Sequence, residues 1–179
     1  MNLPGPLARL MPRLDLDGDR NLVRDAWNLL AGLPGGKGLF SRMIGQLAPY
    51  SGTIGARVVG LRPGWCQVEL EDRRAVRNHL QCVHAIALCN LAELAGNVAV
   101  AYSLPDDARF IVAGLSIEYL KKARGTITAT GECPATMTAE RAEHAVSVTM
   151  TDAAGEVVAR ATLRTLVGPK RQAKRSDLN

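Results

Sequence analysis

Aromatic residues are scarce in this sequence: two Trp, three Tyr and two Phe make 4% of 179 residues. A nucleic-acid-binding domain usually offers stacking aromatics on a basic face, and the basic excess here forms no such face. Lys and Arg number 22 against 17 Asp and Glu, a net charge of +5, but residues 168–179 hold four cations and one anion, +3 of that total. The other 167 residues carry only +2. Nucleic acid is therefore excluded as the expected partner, and the basic 169–179 stretch reads as a solvated tail.

Cysteine is also sparse and unpatterned. Cys66, Cys82, Cys89 and Cys133 form no C-x-x-C pair and stand at no zinc spacing with the three histidines, so neither a structural metal nor a disulfide framework is expected. Asp15, Asp17 and Asp19 suggest a calcium loop, but its twelfth position is Ala26 where a bidentate Glu is needed. The start Met1-Asn-Leu-Pro-Gly-Pro has no basic segment leading into an apolar run, which points to the cytoplasm. No long apolar run is free of polar residues: the most apolar window, Val83–Leu104, contains Asn90, Glu93 and Asn97. A mid-bilayer carboxylate is costly, so this window reads as a helix buried in protein and not as a membrane span.

What is present is a globular composition, 47% hydrophobic and 22% charged, in a length that suits one domain. Helical spacing from Asp19 through Leu30 stops at Gly32 and Pro34-Gly-Gly36, and a second helix over Leu39–Leu47 closes at Pro49. Strand-like segments follow at Ile54–Leu61 and Cys66–Glu71, joined at Pro63-Gly64. After the long apolar helix come Phe110–Leu120, Thr126–Glu132, His144–Thr151 and Val157–Val167. Runs of strands around one helix predict an α+β fold with an antiparallel sheet of about six strands. Ala85, Ala87, Ala92, Ala95, Gly96 and Ala99 would let strands approach the helix backbone closely. The division expected is a helical extension over 1–50, the sheet-and-helix domain over 51–168, and the tail.

Asn90, Glu93 and Asn97 fall within a narrow arc at 100° per residue, one polar stripe on an apolar cylinder. Burial favours a neutral carboxyl, a perturbation suited to general-base work. The same Glu could instead be salt-bridged to an Arg or cap neighbouring polar groups, and the residues alone leave these readings open.

Asn78, His84 six residues later and Glu93 nine further on resemble the hot-dog-fold acyl-CoA thioesterases of the phenylacetic-acid-pathway branch. Pro34-Gly-Gly36, Ala48-Pro-Tyr50, Leu61-Arg-Pro-Gly64 and Arg77-Asn-His79 extend the resemblance to a bacterial group of that superfamily, DUF4442. It implies a sheet wrapped round the helix in a homodimer, or a tetramer, with active sites at the interface. It implies no cofactor beyond the coenzyme A of the substrate. Glu93 maps onto the base or nucleophile, and the backbone N–H near Ala85 onto the oxyanion donor. Asn78 maps onto the group that orients water or thioester from a facing loop. His84 either stands beside the carbonyl or fixes the loop. His79, Gln81 and Asn90 would line the substrate site, and Lys121, Lys122 and Arg124 would meet the phosphates of coenzyme A.

Two departures bear on activity. His84-Ala-Ile86 stands where that branch commonly has His-Gly-Gly, and Gln81 where a Gly is common; a side chain at 81 is expected to crowd the turn or the substrate entrance. Two other functions follow from the same fold: an acyl-CoA-binding module without turnover, and a hydratase or dehydratase.

Overall fold

The computed structural model describes residues 20–170. The Pro- and Arg-rich N-terminal stretch and most of the basic tail lie outside the described residues. Three helices come first: α1 (Leu22–Leu30), α2 (Gly36–Leu47) and a single turn, α3 (Pro49–Gly52). Then follow β1 (Arg57–Arg62), β2 (Trp65–Leu70), a short 3-10 turn at Arg74–Val76 and the long α4 (Ala85–Ser103). The chain ends in β3 (Ala108–Tyr119), β4 (Ile127–Glu132), β5 (Ala142–Thr151) and β6 (Val157–Pro169).

All six strands form one antiparallel sheet in the order β1-β2-β4-β5-β6-β3. Its inner face curls around α4, which touches every strand. This is the hot-dog arrangement that the resemblance implies. It rests on period-two patterning: along β6, Ala161, Leu163, Thr165 and Val167 are buried and Arg160, Thr162, Arg164 and Leu166 are exposed. Helix α4 passes for a membrane span on length and apolarity alone, yet eleven of its nineteen residues are buried in protein.

The small residues of α4 work as the sequence suggests, with an addition from the sheet. A Cβ on Gly96 would lie 3.0 Å from Leu163 Cδ2 on β6. On the sheet side, a Cβ on Gly131 in β4 would lie 2.6 Å from the carbonyl oxygen of Ala95, so helix and strand meet backbone to backbone.

The N-terminal helices close the side of α4 that the sheet leaves open. Asn21 caps α1 by accepting the Arg24 N–H (2.9 Å). Its amide donates to the Ala101 and Leu104 carbonyls (2.7 and 2.9 Å), two of the unpaired acceptors at the end of α4. Trp27 of α1 meets Phe40 of α2 edge to face, with centroids 5.0 Å apart. Pro49 starts α3 rather than closing α2, because proline's missing N–H and fixed φ suit a first helical position.

The two sheet edges are treated differently. On β1, Lys37 Nζ of α2 donates to the Val59 carbonyl (2.6 Å) and Ser41 Oγ accepts the Val58 N–H (3.0 Å). On β3, a twelve-residue edge strand, no element covers the outer side among the described residues. Ile111 there is 66% exposed and Tyr119 46%.

Candidate active site

With sheet and N-terminal helices in place, α4 keeps one partly open face. Ala85, Cys89, Glu93, Asn97 and Ala101, spaced four apart, are each half-buried while most of their neighbours are sealed. The inward side chains of β3 beside this stripe, among them Phe110, Val112, Leu115 and Ile117, are half-buried too. The Tyr119 hydroxyl donates to the Ala85 carbonyl (3.0 Å) and fixes the end of β3 against the start of the helix.

Glu93 lies in the middle of this seam. No ion pair to it exists among the described residues, so the salt-bridge reading of this Glu is not what the fold provides. Its Oε1 accepts from Asn97 Nδ2 at 3.4 Å. One turn back, burial and then the charge of Glu93 push the Cys89 thiol above its ordinary value. The Tyr119 phenol is pushed up by burial and then by Cys89. Asn97 and Cys89 are therefore the surroundings of the carboxylate, with Tyr119 beside Cys89. Sequence reading puts Asn97 on the polar stripe with Glu93 but gives Cys89 and Tyr119 no role, although Cys89, like Asn97, stands four residues from Glu93.

Asn90 is turned another way. It is buried, and its Nδ2 donates to the Tyr50 carbonyl of α3 (3.2 Å). It lines, with His84, Ile86, Tyr50 and Arg77, a small cavity of about 230 Å³ beside the start of α4. The polar arc expected along the helix thus divides: Glu93 and Asn97 face the open seam, while Asn90 faces the N-terminal layer.

His84 is the N-cap of α4, its Nδ1 accepting the Ile86 N–H at 3.0 Å. This is the loop-fixing role, and it requires the tautomer that carries its proton on Nε2. The Ala85 N–H has no acceptor among the described residues, so it is an unpaired donor at the positive end of a helix dipole.

Asn78, His79 and Gln81 lie on the turn that leads into α4. Asn78 Oδ1 accepts the Leu80 N–H (2.9 Å) and the Cys82 N–H (3.4 Å), which closes the turn on itself. Its Nδ2 makes no bond among the described residues. Gln81 has φ +55°, the one positive φ outside glycine among the described residues. That backbone explains why glycine suits the position. The Gln81 side chain, like that of His79, is exposed.

The β3–β4 turn lies against the same segment, since the Ala123 carbonyl accepts the Val83 N–H (2.9 Å) and Asp72 Oδ2 accepts the Gly125 N–H (2.9 Å). Asp72 also binds Arg77 (2.6 Å). The Arg77 hydrogen bond, opposed by burial and helped by Gly125, holds the Asp72 carboxyl below its usual range. Lys122 and Arg124 project exposed from this turn. Lys121 makes ion pairs with Asp152 (2.9 Å) and Glu156 of the β5–β6 hairpin. Among the described residues no three His, Cys, Asp or Glu side chains converge on a metal position.

The family described as Domain of unknown function (DUF4442) matches residues 36–167. No curated protein sequence matches the chain. Among solved structures, that of the structural-genomics target APC5556 is 35% identical, with TM-score 0.71, over 82% of this chain and 98% of its own. A Pseudomonas aeruginosa protein, PA5026, described as a probable thioesterase, is 23% identical with TM-score 0.64, over 76% of this chain and 97% of its own. A thioesterase family protein from Silicibacter pomeroyi is 19% identical with TM-score 0.62, over 72% and 96%. The last two likenesses are of fold.

Proposed function

Because the chain belongs to the DUF4442 family and folds as thioesterases do, we propose that it hydrolyses an acyl-CoA thioester to a carboxylic acid and free coenzyme A, as a homodimer. The observation that carries this reading is the position of Glu93, the only carboxylate on α4, in the one open seam of an otherwise buried helix. There it can take a proton from attacking water, or attack the carbonyl itself. The oxyanion that forms is held by the unpaired Ala85 N–H.

Both groups must come within about 3 Å of the reacting atoms. Along one helix they are eight residues apart, about 12 Å at 1.5 Å per residue. A working site on this reading therefore takes Glu93 from one protomer and the start of α4 from its partner, so that Asn78 Nδ2 can reach the thioester from the facing chain. The uncovered β3 edge favours that pairing. Lys122 and Arg124, exposed beside the start of α4, suit the phosphates of coenzyme A.

The test is thiol release from a panel of acyl-CoA esters, read with a thiol-reactive dye. Glu93→Gln should lower kcat by roughly 10²–10⁴-fold, the usual contribution of a general base, and leave KM little changed. Full activity in that variant would sink the assignment. An acyl-CoA-binding module is the second reading, favoured by Ile86, 55% exposed at the helix start where the resembling enzymes have glycine. Tight binding with no thiol released from any ester would establish it.

A further inference from the structure

Asn97 is an awkward residue for a purely structural role. Its Oδ1 is buried without a partner among the described residues, and a buried acceptor left unpaired is destabilising. Its orientation is nevertheless fixed, because only the NH2 end of the amide can face a carboxylate, and Nδ2 lies 3.4 Å from Glu93 Oε1. Asn90, the other amide near Glu93 on α4, has committed its donor to the Tyr50 carbonyl. A glutamate side chain on an open seam otherwise keeps most of its rotamer freedom.

Resting on the hydrolytic reading of Glu93, we infer that Asn97 is the positioning residue for that carboxylate: it holds Oε1 so that Oε2 is presented to water or to the thioester. The bond is long, and it shortens when substrate closes the seam, as catalytic hydrogen bonds commonly do. An apolar residue of similar size at position 97 would remove both the donor and the orphaned oxygen. The fold would then gain while the reaction lost, which is the opposite of what a packing residue does.

The experiment compares wild type with Asn97→Leu, Asn97→Gln, Glu93→Gln and the Glu93→Gln/Asn97→Leu double variant, measuring kcat, KM and melting temperature on the best ester of the panel. Asn97→Leu is expected to lower kcat about tenfold or more, of the order of one positioning hydrogen bond to a charged group. KM should stay within about twofold and the melting temperature should not fall. Asn97→Gln, which keeps the amide, should recover most of the rate. The double variant should be no slower than Glu93→Gln, since the two residues act as a unit. An unchanged kcat in Asn97→Leu overturns the inference, and so does a lost rate that follows a lowered melting temperature and is not recovered in Asn97→Gln. In both cases an inactive Glu93→Gln leaves the hydrolytic reading standing. An active Glu93→Gln, or no thiol release by wild type, removes both.

Discussion

Gln81 carries the only positive φ outside glycine among the described residues. A left-handed backbone costs a residue with a side chain roughly 1–2 kcal/mol, and glycine returns part of that through the entropy it loses on folding. Gln81→Gly is therefore expected to stabilise the fold by about 0.5–1 kcal/mol in urea unfolding. Individual site residues are legible in the sequence to different degrees. The eight-residue step from Ala85 to Glu93 on one buried helix fixes their relation by spacing alone. The disposition of Asn78 is not legible and that of His84 only as one of two alternatives, since both depend on the torsion of a loop that only tertiary contacts set. The ion pairs of Lys121 are not legible for the same reason: its partners Asp152 and Glu156 lie more than thirty residues away.

At the scale of elements, the number and order of strands follow from alternation that most segments show, β1 and β3 breaking step at a bulge. Boundaries shift where glycine or proline intervenes: β1 begins at Arg57 rather than Ile54, after Gly55 at φ +62°. What sequence reading misses is reciprocal smallness. It finds Gly96 on the helix but not Gly131 on the strand that meets it. Gly131→Ala would drive a methyl group into the Ala95 carbonyl, backbone that cannot move aside, and should cost about 2–4 kcal/mol. Gly96→Ala meets only side-chain atoms, the flexible end of Leu163 and Val146 Cγ1 at 3.3 Å, and should cost about 1 kcal/mol. Thermal unfolding of the two variants decides whether contact with backbone or with side chain sets the penalty.

At the scale of the whole molecule, a site shared between chains has a signature that no single chain can mimic. Mixed after dissociation and reassociation, inactive Asn78→Ala and Glu93→Gln proteins should regain about a quarter of wild-type activity, because half the dimers are hybrids and each hybrid holds one intact site. Activity that stays at the level of the separate variants would place both residues in one chain's own site. The covering of β1 bears on the same assembly. Lys37 and Ser41 occupy the Val59 carbonyl and the Val58 N–H of that edge, so in the proposed dimer β3 is the strand left for pairing. A unit with a single valence cannot polymerise: once two β3 strands have met, nothing remains for a third chain to extend. In the proposed dimer the side chains of α2 would thus act as a chain terminator, confining edge-to-edge growth to two copies where an open β1 would leave a template for fibres.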